Sequence, residues 1–259
     1  MYRLLGTGAL AAAHTGMWLL VLGFVLGSAS VASAASYGNF TGNTVQFLNV
    51  ADVNGLYGAP TVSGDSLDFS PNSFEADCSF SASCPPTPDS ATDTLTLQID
   101  ADPGSFIDDI LLTEAGDTSL QSFLSAFAAT TVTANVFIDV LEINNLPVNS
   151  VNANQAMTFS NGGAYESNDE GYGTHIWTGS LLVDIDQVIA LAGETGQATL
   201  VEISLSNTLT AFADSGATAR IEKKDIDGLA ITVVPEPGTA LLMSLGLAGL
   251  ASIRRRQND

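Results

Sequence analysis

The stretch "ATTVTANVFIDVLEI", Ala129–Ile143, decides the fold class. In an extended chain Val132, Ala134, Val136, Ile138 and Val140 fall on one face. Thr131, Thr133, Asn135 and Asp139 fall on the other, with Phe137 and Leu141 as apolar exceptions. Side chains alternate across a strand, so a period of two with one polar face means a sheet that is wet on one side. Outward from it, Thr44–Val50, Thr94–Ile99 and Phe106–Leu112 are rich in Val, Ile, Leu, Phe and Thr and bounded by Gly, Asn, Asp or Pro. His175–Ile185, Ala198–Phe212, Ala217–Glu222 and Gly228–Val234 continue the pattern. Ser119–Ala128 is ambiguous, because Leu120, Phe123, Leu124 and Phe127 also match helical spacing. One short helix is expected at Ile185–Ala192, with Val188, Ile189 and Ala192 toward the core. Turn clusters stand at Val53–Gly58, Ser83–Asp89, Asn144–Asn149 and Asn161–Gly173. Many short strands with frequent turns predict an all-β, antiparallel β-sandwich with jelly-roll-like connections, one domain over residues 35–234.

Charge narrows the function. The chain has 28 acids against 7 bases, a net charge of −21, and residues 35–234 hold only Arg220, Lys223 and Lys224 as bases against 26 of the acids. Such a surface repels phosphate backbones, which excludes nucleic acid as a partner, and suits cations or neutral sugars. Arg3, the apolar run Met17–Leu26 and the small residues Ala32-Ser33-Ala34 read as a signal helix over residues 1–34. Signal peptidase is expected to cut between Ala34 and Ala35; a retained membrane anchor is the alternative. The only cysteines, Cys78 and Cys84, would enter an oxidising compartment and close a small disulfide loop of modest stabilising effect. A zinc site would need further Cys or His nearby.

No residue presents itself as catalytic. His175 is the only histidine after the signal segment, and no Gly-x-Ser-x-Gly elbow accompanies it, so it reads as structural or surface-exposed. Carboxylate pairs recur at Glu75/Asp77, Asp100/Asp102, Asp108/Asp109, Asp184/Asp186 and Asp225/Asp227. A glycosidase needs two carboxyls about 5–9 Å apart across a cleft, but in so acidic a chain pairs arise by chance. Hard oxygen ligands suit calcium better, and Asp100, Asp102, Asp184 and Asp186 are the weak candidates. The EF-hand spacing fails, since the fifth and twelfth positions from Asp100 are Gly104 and Leu111. No other cofactor is implied. "NGGAYESNDEGYGTHIW", Asn161–Trp177, gathers Tyr165, Tyr172 and Trp177 with amides and acids, as a glycan-stacking platform would; the bland alternative is a Gly-rich loop whose aromatics fold onto the domain. Thr92, Thr94 and Thr96, like Thr131 and Thr133, share a face, but such ranks are too short for an ice-binding surface.

The chain closes on "VVPEPGTALLMSLGLAGLASIRRRQND", Val233–Asp259. Gly238–Ile253 is an uncharged run of 16 residues. As a transmembrane helix it spans roughly 24 Å, just short of a bilayer core. Arg254, Arg255 and Arg256 would stay cytoplasmic. An anchor explains the apolar run and the arginines, but not Pro235-Glu236-Pro237. In order and position these residues resemble the PEP-CTERM sorting signal of Gram-negative bacteria that make exopolysaccharide. The resemblance implies recognition by the membrane protease exosortase, a transient inner-membrane stage, removal of the tail, and delivery to the cell surface or extracellular matrix, much as a GPI tail is discarded.

Segments of the body, "FLNV", "LYGAPTVSGDSLDFSP" (Leu56–Pro71), "FIDDILLTEAGD" and "LSNTLTA…IEKKDIDGLAITVVPEPG", are similar to recurrent segments in one group of proteins carrying this tail. That resemblance implies a shared sandwich and glycosylation, with no activity attached. The expectation is a non-enzymatic surface or matrix protein associated with exopolysaccharide or biofilm. A carbohydrate-binding module, calcium-assisted or not, that holds extracellular polysaccharide is the alternative, and a secreted glycoside hydrolase comes third.

Overall fold

The computed structural model describes residues 34–234 apart from 72, 80–83, 85–86, 123–124 and 225–227. The signal segment, Asp225/Asp227, Pro235-Glu236-Pro237 and Arg254–Arg256 therefore lie outside the described residues. The strands, in chain order, begin with β1 Ala35–Thr41, β2 Val45–Asp52, β3 Pro60–Ser63, β4 Ser66–Phe69, β5 Glu75–Cys78, β6 Asp89–Ala101, β7 Asp109–Ser122 and β8 Ala128–Ile143. They continue with β9 Leu146–Pro147, β10 Asn152–Ala156, β11 Thr158–Phe159, β12 Ala164–Glu166 and β13 Gly173–Asp184. A helix, α1 Ile185–Leu191, precedes β14 Ala198–Ala213, β15 Ala217–Lys223 and β16 Leu229–Val234.

Two antiparallel sheets result. The first runs β1-β2-β6-β14-β8-β10, with β9 and β12 also on β8. The second runs β11-β13-β7-β16-β4-β3, with β15 on β7 and β5 on β15. From β6 to β8 each step crosses to the opposite sheet, and the step from β13 to β14 crosses again. One edge of β7 is shared: β16 pairs with Asp109–Glu114, and β15 pairs with Gly116–Ser122.

The decisive stretch behaves as its alternation demands. In β8, Val132, Ala134, Val136, Ile138 and Val140 are buried, while Thr131, Thr133, Asn135 and Phe137 are exposed. Leu95, Leu97 and Ile99 of β6 and Val201, Ile203 and Leu205 of β14 complete that inner face; Ile110 and Leu112 of β7, Val183 of β13 and Ile231 of β16 face them from the second sheet. Removing these side chains from water is the main stabilising term.

The ambiguous Ser119–Ala128 resolves for the strand as far as Ser122, because Leu120 pairs with Gly173 and Ala219 on either side and is fully buried. In α1 the buried stripe is Ile185, Val188 and Ile189. Ala192, expected inside, is the exposed C-cap residue, since the i, i+3, i+4 stripe begins at Ile185. The turn cluster Asn161–Gly173 contains β12, which pairs with Ala129–Thr131 of β8. Cys78 and Cys84 are joined, with their Cα atoms 5.2 Å apart and both residues buried. Among the described residues no helix is long and apolar enough to cross a membrane.

Candidate functional site

The aromatic residues singled out for glycan stacking do not form a platform. Trp177 is 0% exposed and Tyr165 4%, so both belong to the core. Trp177 lies in phase with Val183 on the inward face of β13, and its Nε1 donates to the Asp117 carbonyl at 3.3 Å. Tyr165 shares a hydrogen bond with the Ser160 hydroxyl and stacks on His175 at 6.1 Å. Tyr172 alone is exposed, with its hydroxyl donating to the Ala126 carbonyl. His175 sits 3.3 Å from the Gly171 carbonyl.

Among the described residues no three His, Cys, Asp or Glu side chains are grouped to hold a metal. Asp184 is instead the N-cap of α1, accepting from the Gln187 amide at 2.7 Å, and Asp102 accepts from Gln46. Asp109 opposes Asp184 across the β7–β13 ladder; burial and then the charges of Asp184 and Asp186 push its carboxyl up.

Period two places three other polar residues on core-facing positions. Glu114 follows Ile110 and Leu112 in β7, Asn207 stands between Leu205 and Leu209 in β14, and Lys223 follows Ala219 and Ile221 in β15. They meet between the sheets. Lys223 Nζ lies 2.8 Å from Glu114 Oε1, with both side chains 0% exposed. Asn207 Nδ2 donates to Glu114 Oε2 at 2.6 Å, and Asn207 is likewise 0% exposed. The Lys223–Glu114 contact is close but badly angled for a hydrogen bond, leaving Lys223 Nζ, Glu114 Oε1 and Asn207 Oδ1 without a hydrogen-bond partner among protein groups.

Three rings wall the amine. Phe74, Tyr57 and Trp177 have centroids 5.3, 5.5 and 5.7 Å from Lys223 Nζ. Ring faces attract a cation, but they do not replace its hydration. Burial accordingly pulls the Lys223 amine below the usual lysine range, with Glu114 opposing the shift. Burial also pushes the Tyr57 phenol well up, and its hydroxyl has no partner among protein groups. Gly116 makes the enclosure fit: it pairs with Trp177 on one side and Lys223 on the other, and a Cβ there would collide with the Trp177 ring.

Two further features were not singled out from the sequence. Asp93, in phase with Leu95 and 1% exposed, accepts the backbone N–H groups of Val53, Asn54 and Leu56 at 2.9–3.1 Å. Asp52 accepts from Gly55 and Tyr57 beside it, so the two carboxylates hold the 53–58 loop. On the outer face of the first sheet, Thr92–Thr208–Thr133 and Ser90–Thr210–Thr131 form hydroxyl rows three strands wide. Thr94–Ser206–Asn135 continues this uncharged surface. Sequence spacing gave the threonines of single strands; the register that aligns them comes from pairing.

The class of protein is thus an acidic antiparallel sandwich with an enclosed polar centre. Residues 233–256 match the family model of the PEP-CTERM protein-sorting motif, so the last two residues of β16 open that motif. No curated protein matches the chain. A solved structure described as TmCBM61 in complex with beta-1,4-galactotriose is similar to it at 9% identity, over 78% of this chain and 88% of that one, with a TM-score of 0.21. That likeness is too slight to carry an argument.

Proposed function

We propose that this chain is a non-enzymatic surface or matrix protein, cut by signal peptidase after Ala34 and sorted by an exosortase that recognises residues 233–256. The observation that carries the reading is the sorting motif itself, which implies export and a processing protease as partner. The fold fits the assignment. The second sheet takes its last strand up to Val234, so every described strand lies before residue 235. The strand orders β4-β16-β7-β13 and β6-β14-β8-β10, with the chain crossing between sheets, support jelly-roll connections. Residues 238–253 act as a temporary membrane helix with Arg254–Arg256 as the stop. The mature protein resides at the cell surface or in the exopolysaccharide matrix.

Contact with a neutral polysaccharide is the second reading. The uncharged hydroxyl rows on the first sheet favour it, because they are a neutral surface on a strongly acidic body. A glycan array with and without calcium tests this reading: no binding in either condition removes it.

The sorting reading is tested by replacing Pro235, Glu236 and Pro237 with alanine. Two prolines keep the motif extended at the membrane edge, which a selective protease needs and a plain anchor does not. The variant is expected to insert normally and remain full-length in the inner membrane. Arrival at the surface with the wild-type mature mass would refute exosortase sorting.

A further inference from the structure

Lys223, Glu114 and Asn207 bring an amine, a carboxylate and a carboxamide together in a core closed to water. An isolated ammonium there is costly, and so is each buried polar atom left without a hydrogen-bond partner. Neither Lys223 Nζ nor Asn207 Oδ1 has a hydrogen-bond partner among the described protein groups. The two groups touch the two oxygens of one carboxylate, Nζ at 2.8 Å from Oε1 and Nδ2 at 2.6 Å from Oε2. The geometry points to a self-formed covalent link: an amide between Lys223 Nζ and Asn207 Cγ, with Glu114 as the proton carrier.

The reaction balances without any outside reagent. Glu114 Oε1 takes one proton from the Lys223 ammonium, freeing the lone pair on Nζ. That pair attacks Asn207 Cγ and forms the new C–N bond. The proton released from Nζ passes by way of Glu114 to Nδ2, the Cγ–Nδ2 bond breaks, and ammonia leaves. The remaining proton stays on Glu114, whose buried carboxyl ends neutral. Nothing is oxidised or reduced, and no water is consumed.

Each part of the setting favours this step. Burial holds the amine below its ordinary proton affinity, which makes it a better nucleophile at neutral pH. One carboxylate gathers both reacting groups, which removes the entropy of bringing them together. Glu114 is within reach of the proton it removes and of the nitrogen it must protonate. The rings of Phe74, Tyr57 and Trp177 exclude water. The product replaces a buried ion pair with a neutral amide beside a neutral carboxyl, and ties β14 of the first sheet to β15 of the second. This inference does not depend on the sorting reading, since it concerns the folded body alone.

The test is proteolytic digestion and tandem mass spectrometry of the full chain, purified folded. Wild-type protein is expected to yield one branched species containing Lys223 and Asn207, lighter by one ammonia than the two linear peptides together. Trypsin is expected not to cut after Lys223. Glu114→Gln, shown to be folded by circular dichroism, is expected to give the two linear peptides instead. Recovery of unmodified linear peptides from the wild type overturns the link, and that result decides by itself if the variant fails to fold. Linkage in folded Glu114→Gln equal to wild type overturns the role given to Glu114.

Discussion

Gly116 stands between Trp177 and Lys223 on one rung of the second sheet, and its missing side chain is what lets the indole lie against the strand. Gly116→Ala should cost about 1–3 kcal/mol through overpacking, seen as a lower urea midpoint at unchanged slope. Asp93 is the converse case, a buried charge satisfied by backbone amides of a loop. Asp93→Ala should cost about 3 kcal/mol, with faster amide exchange confined first to residues 53–58. An unchanged midpoint would mean that the loop is held by other contacts. These residues were legible in phase but not in role. Alternation places Glu114, Asn207 and Lys223 inward, yet which inward residues from three strands meet depends on register and sheet order. Trp177 stayed open between two readings for a related reason: the composition of the Asn161–Trp177 segment allows a sugar platform or aromatics folded onto the domain, and the phase with Val183 puts Trp177 inside.

At the scale of elements, long strands with clean alternation were readable and short ones were not. β8, β13 and β14 run 12 to 16 residues, enough for period two to stand out. β3, β9 and β11 have two to four residues and owe their existence to neighbours. The end of β7 was ambiguous because apolar residues at 120, 123, 124 and 127 fit either period, and pairing with β13 and β15 settled residues up to Ser122. The helix was legible from Val188 and Ile189 of its stripe, whereas Asp184 read only as a calcium candidate. Asp184→Ala should destabilise the protein by about 1 kcal/mol through loss of the N-cap, measured as a shift in the urea midpoint. Closing so short a loop, the Cys78–Cys84 bond should contribute about 2 kcal/mol in the chain-entropy account. Replacing both with Ser should therefore leave a folded, less stable protein, and loss of cooperative unfolding would contradict this.

For the whole molecule, composition and the ends of the sequence said more than the body did. Charge argued against a nucleic-acid partner, and the C-terminal residues carried a sorting address that the family match supports. Strand order was beyond the sequence, because pairs such as β4 with β16 join residues more than 150 positions apart with no local signal. The central claim is that the sandwich is a cargo delivered by two processing events. Its most direct test is mass-spectrometric identification of both termini of the protein recovered from the cell surface, beside the same analysis of the inner membrane. The account predicts surface protein beginning at Ala35 and lacking Arg254–Arg256, with any full-length tail confined to the membrane fraction. Surface protein that still carries residues 235–259 would contradict it.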